Sequence, residues 1–358
     1  MKNKVGIILV NYKDYARRFL GECRDSLRIQ TYPQELFSVY IVDNESSQES
    51  VNDIKEIYPE ANIIYRQDGN YAAANNAGIK KGIEDGCELF VVANMDTKMD
   101  KDWLGELVLA VSGEDIGIAQ SLVMLYPSGE EKEGEQKINT IGNIIHFLGF
   151  GFTDGYGKRL GEVGLESTRK ELMYASGCSL VIKKEVLEKI DFYDDEYYMY
   201  HDDLEVGWKT RLAGYKIILA EKSVIYHKYE FSRSVRMIYY MERNRLITLF
   251  IFYKLETLVF LIPAILFMDL GMLFYSFVNG WWREKLKIYA YFLSAKNWEK
   301  IGVIRAKVQS LRVISDEEAI KNYFGRIEFQ EIENPILKYL VNPVLDLYWH
   351  LIKKIIKW

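Results

Sequence analysis

Three short apolar runs, each stopping at a polar residue, constrain the fold of this chain most. Val5–Val10 ends at Asn11, Phe37–Val42 ends at Asp43-Asn44, and Glu88–Ala93 ends at Asn94-Met95-Asp96. Such short, continuous runs suit strands buried on both faces of a parallel sheet. Helix-like stretches separate them, one from about Asn11 to Gln30 and one over residues 71–85, and a further strand is expected at Ala61–Tyr65. Strand–helix alternation predicts a doubly wound α/β sheet flanked by helices. Ligands of such sheets lie beyond the carboxyl ends of the strands, where all three polar exits fall.

A second acidic motif lies about a hundred residues on: Tyr200-His201-Asp202-Asp203-Leu204-Glu205, followed by Trp208, Arg211 and Gly214-Tyr215. If Asp202 and Asp203 open a helix, one carboxylate caps it while the other faces a cleft. Between the motifs, Glu130–Glu135 reads as a polar loop and Gly149–Gly157 as a flexible Gly/aromatic loop near the cleft. Ser176–Ser179 leads into a strand at Leu180–Ile182, and Lys184–Ile190 has helical period. Trp208 has the character of a core residue.

With 358 residues, 49% of them hydrophobic, a large core is available, and a net charge of −5 argues against nucleic acid as the main partner. Three cysteines without CxxC spacing fit a reducing compartment, and the first residues lack the pattern of a secretory leader. From Trp281 onward there are 14 Lys/Arg against 9 Asp/Glu, so this stretch is basic while the remainder is acidic.

After about Met237 the character changes. Leu258–Phe277 is long enough to cross a bilayer with Asp269 as its sole charge, and Pro263 is placed to kink it. Trp281-Trp282-Arg283 resembles an interfacial anchor, and Val344–Trp358 sets Lys353, Lys354 and Lys357 among apolar residues, as in a helix lying on an anionic membrane. A soluble helical subdomain with an apolar core is the alternative.

Taken in order, Val10-Asn11-Tyr12, Val42–Ser46, Asn70–Gly78, Asn94-Met95-Asp96, Ala175–Cys178, Met199–Glu205 with Arg211–Tyr215, and Tyr226-His227-Lys228 resemble the inverting family 2 glycosyltransferases, most closely the rhamnosyltransferase-like branch. The resemblance covers about residues 4–245. It implies a GT-A, Rossmann-like, mostly parallel sheet as a catalytic domain over 1–240, followed by a helical, apolar region over 241–358. It also implies metal-dependent transfer of a sugar from a UDP- or dTDP-sugar, and the apolar C-terminal third points to a lipid-linked or cell-surface glycan acceptor, with the chain peripheral to or anchored at the cytoplasmic face of the cell membrane.

The resemblance further distributes roles. Asp203 would be the base, with Asp202 and Glu205 near the acceptor and Gly177 allowing close backbone approach. Asp96 and His227 would hold Mg2+ or Mn2+. Asp43 would accept from the N3–H of uracil or thymine, with Asn11, Tyr12, Asn44, Asp68, Asn75 and Asn94 as further donor contacts. Two departures matter: Asn94 stands where the family often has a first metal-binding Asp, and Asp202-Asp203-Leu204-Glu205 replaces the commoner Glu-Asp-x-Asp. Arg211 is left between pairing with a diphosphate and pairing with Asp202 or Glu205, and Asn75-Asn76 between a site role and holding a turn. Two other classes stay open, a nucleotidyltransferase or sugar-diphosphate hydrolase and a non-catalytic binding module. Asn11-Tyr12-Lys13-Asp14 is not the Gly-rich basic loop a nucleotidyltransferase would carry.

Overall fold

The structure is a computed structural model that describes residues 3–127, 135–164, 170–229, 235–328 and 334–358. Most of the polar stretch expected as a loop at Glu130–Glu135 lies outside the described residues. The chain divides into two compact units: Met1–Asn143 with Thr153–Thr210 and Tyr215–Glu230, and Ile144–Phe152 with Arg211–Gly214 and Phe231–Trp358.

The first unit is built on strands β1 (Val5–Asn11), β2 (Phe37–Asn44), β3 (Asn62–Arg66), β4 (Leu89–Ala93), β5 (Thr97–Met99), β6 (Ile116–Leu125) and β7 (Ile138–Thr140). In chain order a short hairpin follows, β8 (Asn143–Ile145) with β9 (Gly151–Thr153), most of which belongs to the second unit, and the first unit resumes with β10 (Ser179–Lys183) and β11 (Lys216–His227). The hairpin occupies part of the Gly/aromatic segment read as a loop, because Phe150 and Phe152 are buried and pull it into strand form. The main sheet runs β3-β2-β1-β4-β10-β6-β11-β5, with β7 on β6. β3, β2, β1 and β4 are parallel, but β10 enters antiparallel between β4 and β6, and β5 antiparallel beside β11. The sheet is therefore mixed, since pairings of distant segments, which local apolar patterns do not reveal, complete it.

Helices α1 (Tyr15–Arg28), α2 (Gln48–Ile57), α3 (Tyr71–Glu84), α4 (Trp103–Ala110), α5 (Lys184–Ile190) and α6 (Asp202–Leu212) cover the sheet or flank it. The apolar runs are continuous because each strand buries both faces. Ile7, Leu9, Ile41 and Val91 share one core with Leu20, Cys23 and Leu27 of α1 and Trp103 of α4. On the other face α3 approaches so closely that a Cβ on Gly78 would lie 2.7 Å from Ile8 Cγ2. Buried hydroxyls join the later strands: Trp103 Nε1 donates to Ser121 Oγ (2.9 Å) and Ser179 Oγ (3.0 Å), and Ser121 and Ser223 hydroxyls meet at 3.0 Å. The indole N–H and the three hydroxyls buried here thus satisfy one another.

The second unit contains α7 (Val235–Phe252), α8 (Leu255–Val278), α9 (Trp282–Leu293), α10 (Ala295–Ser310), α11 (Asp316–Ala319) and α12 (Asn342–Ile352). A buried ion network ties three of them. Arg245 of α7 grips Glu242 with two bonds of 2.8 Å, and Lys285 of α9 reaches Glu242 (3.0 Å) and Asp269 of α8 (2.6 Å). Burial alone would raise the Glu242 carboxyl, but Arg245 and Lys285 outweigh it and hold the group well below the carboxylate range. Trp281, expected as an interfacial anchor, is buried in this unit, whereas its neighbour Trp282 stacks on Phe277.

The contact at Gly78 yields a stability prediction. Gly78→Ala should lower unfolding free energy by about 1–3 kcal/mol through overpacking, despite the ~1 kcal/mol helix advantage of Ala. Urea denaturation with an unchanged or higher midpoint would contradict the packing described.

Candidate active site

Three strand ends and the start of α6 frame the site. Asp96 sits between β4 and β5, and His227 closes β11, which pairs with β5 so that His227 faces Thr97 in register. That pairing brings His227 Nε2 to 3.3 Å from Asp96 Oδ2. Tyr15, in the first turn of α1, donates to the same carboxylate oxygen at 2.6 Å. Asp96 Oδ1 is buried and has no hydrogen-bond partner. Burial pushes the Asp96 carboxyl up, but His227 and the Tyr15 hydroxyl reverse this and leave it below its ordinary value. Burial likewise works against a charged His227, yet the neighbouring Cys178 and Asp96 hold the imidazole above its ordinary range. Its Nδ1 is oriented by Asn139 Oδ1 at 3.2 Å.

These atoms suit a hard divalent cation such as Mg2+ or Mn2+. An unpartnered buried carboxylate oxygen lies beside an imidazole nitrogen, and both are donor types these cations accept. Binding there would require His227 to give up its proton. Among the described residues no group of three or more His, Cys, Asp or Glu is placed to hold a metal ion. The protein therefore offers two ligands at most from this pair, and further oxygens would come from a bound phosphate or water.

The second acidic motif joins the first through Ser176–Cys178, the residues that lead into β10. Asn94 N–H donates to the Cys178 carbonyl at 3.1 Å. One residue earlier, Gly177 N–H donates to Asp203 Oδ2 at 3.3 Å. The other Asp203 oxygen accepts from Leu204 N–H at 2.8 Å, within the first turn of α6. Asp203 is half-buried, and burial raises its carboxyl above the usual range against the pull of these N–H groups. Asp202 is more buried, and burial together with the charge of Asp203 raises it as well. A carboxylate with raised basicity at a sheet edge is equipped to take a proton near neutral pH.

The backbone before α6 is strained. Tyr198, Tyr200 and His201 all have φ of 62–63°, a region costly for residues with a Cβ. The strain is held from α3: Tyr71 N–H donates to the Tyr198 carbonyl at 2.7 Å, and Asn70 both caps α3 and reaches the Asp195 carbonyl at 2.8 Å. Gly69 is required here, since it has φ of 68° and its missing Cβ would lie 2.7 Å from Tyr198 Oη. Asn76 holds the turn, with Nδ2 on the Tyr193 carbonyl and Oδ1 on the Tyr193 N–H. Asn75 Nδ2 donates to the Tyr71 carbonyl (3.2 Å) and its Oδ1 is buried without a partner.

Other expected contacts lie elsewhere. Asn11 is fully buried as a joint: Oδ1 accepts from Ala16 N–H (2.7 Å) and Nδ2 donates to Asp43 Oδ1 (2.7 Å). Its amide is spent inside the protein, so a direct substrate contact by Asn11 is not what the geometry supports. Asp43 accepts from Ser50 on its other oxygen (2.7 Å) and is also shielded from solvent. Asn44 is buried beside it with Oδ1 unpartnered, while Tyr12 is exposed at the end of β1. Asp68 is exposed and paired with Arg66 at 2.6 Å. Glu205, expected near the acceptor, is 0% exposed and paired with Lys209 at 2.6 Å. Three residues past Asp202 on a helix it points into the protein, where its partner is Lys209. Arg211 pairs with neither acidic residue named for it, donating instead to the Ala319 carbonyl at 3.0 Å.

Sequence reading missed Tyr15, Asn139 and Cys178 as neighbours of the Asp96–His227 pair. Only Tyr15 carried a local signal, an aromatic hydroxyl in the first helical turn after the β1 exit. The other two depend on strand pairing across the sheet.

Glu205 makes a pH prediction. Burial, opposed by Lys209 and reinforced by Asp194, pushes its carboxyl up to about 7. The folded state then keeps a proton that the unfolded state releases near pH ~4.3, so stability falls as pH rises through that interval. Glu205→Gln should flatten the difference between urea midpoints at about pH 5 and about pH 7.5. An unchanged slope would show that Glu205 is charged throughout.

A family model described as Glycosyl transferase family 2 matches residues 6–191. The O-antigen biosynthesis protein RfbC of Myxococcus xanthus is 25% identical over 236 residues, which cover 63% of this chain and 17% of that protein. The low-salt glycan biosynthesis hexosyltransferase Agl10 of Haloferax volcanii is 22% identical over 215 residues, covering 59% of this chain and 62% of that one. The chain thus spans less than two thirds of either relative. Among solved structures, GalNAc-T7 with UDP, GalNAc and Mn2+ superposes with a TM-score of 0.50 at 13% identity, over 67% of this chain and 48% of that one, a likeness of fold.

Proposed function

This chain belongs to glycosyl transferase family 2, its first unit has the GT-A type of α/β fold, and on that premise we propose that it is an inverting glycosyltransferase with Asp203 as base. The donor in this reading is a UDP- or dTDP-sugar, and the acceptor is a hydroxyl of a lipid-linked or cell-surface glycan at the cytoplasmic side of a membrane. The observation that carries the proposal is the Ser176–Cys178 segment. It touches Asn94 on one side and Asp203 on the other, so the two acidic motifs serve one site.

The reaction is a single displacement. The acceptor oxygen forms a bond to the anomeric carbon as the bond from that carbon to the diphosphate breaks. Its proton passes to the Asp203 carboxylate, and the nucleoside diphosphate departs with the bonding electrons. Asp203 suits the task because it is ionisable, half-buried and aimed by Gly177 and Leu204 N–H groups. Asp96 and His227 are the residues that would hold a divalent cation, whose chemistry when bound is to offset the charge that grows on the leaving diphosphate. Tyr15 orients Asp96, and Asn139 fixes His227. For the nucleobase, Tyr12, exposed at the end of β1, is the proposed stacking partner, whereas Asp43, expected to accept an imide N–H, is 0% exposed with both carboxylate oxygens engaged. Asn11 and Ser50 hold the Asp43 carboxylate in place.

Asp203→Asn tests the base. It should bind a nucleotide sugar as tightly as the parent protein by calorimetry, while nucleoside diphosphate release with acceptor falls by about 10²–10⁴. Full turnover in that variant would end the assignment. The acid limb of the parent pH–rate profile should lie above the ordinary carboxylate range, since Asp203 must be deprotonated.

Asp96→Asn tests the cation-holding pair. Thermal-shift titration with Mn2+ and a UDP- or dTDP-sugar should stabilise the parent protein by mass action and the variant much less. Equal stabilisation of both, or full activity in EDTA, would remove Asp96 and His227 from this role.

A further inference from the structure

We infer that the second unit docks on an anionic phospholipid bilayer with α8 lying along the surface, and that a lysine-lined cleft beside α12 takes lipid phosphates. This deepens the membrane side of the proposed function and rests on it only for the purpose of docking. The physical case stands on α8 itself. With 24 residues and a mean hydropathy of 2.2 it is long and apolar enough to span, yet only 28% of its apolar window is buried. Val259, Ile262, Leu266, Leu270 and Phe274 are all exposed, at steps of three or four residues, and so form one stripe.

The opposite side of α8 is fastened to the protein. Asp269 accepts from buried Lys285 (2.6 Å) and from Tyr289 Oη (2.7 Å), and Thr257 donates to Asp316 (2.6 Å). Drawing α8 into a spanning position would break these bonds, taking from buried Lys285 one of its two carboxylates and carrying Asp269 into the bilayer without its cation, a costly state. The helix therefore stays on the unit and offers one face. α12 and the turn after it supply a second exposed set, Leu347 and Leu351 on the helix and Ile355 just past its end. Tyr348 Oη bonds the Phe260 carbonyl (2.5 Å), and Phe260 stacks on Trp358, which keep this set beside α8.

Charge selects the occupant. A cleft of about 300 Å³ is lined by Lys321, Lys353, Lys354, Lys357, His350 and one carboxylate, Glu317. Lysines bordering an apolar row match a surface that is apolar below and phosphate-rich above. A second copy of this chain would set lysines against lysines, so a bilayer is the better complement.

The test uses the full chain without donor or acceptor, so the result is independent of any transfer activity. Co-sedimentation compares vesicles of phosphatidylcholine alone with vesicles containing about a third phosphatidylglycerol. The parent protein should prefer the anionic vesicles. Lys353→Gln with Lys354→Gln should weaken that binding by roughly an order of magnitude, and Leu266→Glu with Leu270→Glu should abolish it. Single cysteines introduced as Val259→Cys, Leu266→Cys and Phe274→Cys, carrying a fluorophore, should be quenched at one shallow depth by lipid nitroxides. A profile deepest at residue 266 would mean that α8 spans and would overturn the inference. So would failure to bind vesicles, or a dimer in solution that Leu266→Glu disrupts.

Discussion

The candidate site depends on one short backbone segment. Ser176–Cys178 donates through Gly177 to Asp203 and accepts through Cys178 from Asn94. Neither bond is strong alone, being worth about 0.5–1.5 kcal/mol net. Their importance lies in placement. They fix Asp203 and the Asn94–Asp96 turn to the same strand, β10, whose antiparallel pairing with β4 sets Ser179 opposite Ala93. A slip of that register by one residue would turn every side chain of β10 to the other face and separate the two motifs. The mixed character of the sheet is thus what assembles the site.

The strained backbone at Tyr198–His201 serves the same end. Positive φ at three of four residues is costly, and the surrounding bonds from α3 over-determine it. The chain is turned sharply so that α6 opens with Asp202 and Asp203 in its first turn. One turn presents Asp203 to Gly177 while helical spacing sends Glu205 inward to Lys209. Two carboxylates two positions apart thereby receive unrelated tasks.

Local patterns made much of this legible. Val5–Val10, Phe37–Val42 and Glu88–Ala93 are strands, Lys184–Ile190 is a helix, and the polar exits cluster at one sheet edge, because burial on both faces and helical period leave marks within a few residues. Nonlocal facts left no such marks. The His227–Asp96 pair follows from β11 lying against β5, and the inward turn of Glu205 from the helical phase set at Asp202. Asn11 shows a different limit: a polar residue at a strand exit looks like a ligand contact, yet here it bonds Asp43 and accepts from Ala16 N–H in the first turn of α1. In the second unit Leu258–Phe277 read as a candidate span. What composition does not carry is that Asp269 meets Lys285 from another helix and ties α8 down.

Paramagnetic relaxation measures most directly whether the two acidic motifs share one site. With carboxyl carbons of Asp labelled with ¹³C and Mn2+ added together with UDP, the signals of Asp96 and Asp203, identified by their loss in Asp96→Asn and Asp203→Asn, should both broaden relative to Mg2+. A broadened Asp96 signal beside a sharp Asp203 signal would contradict the account.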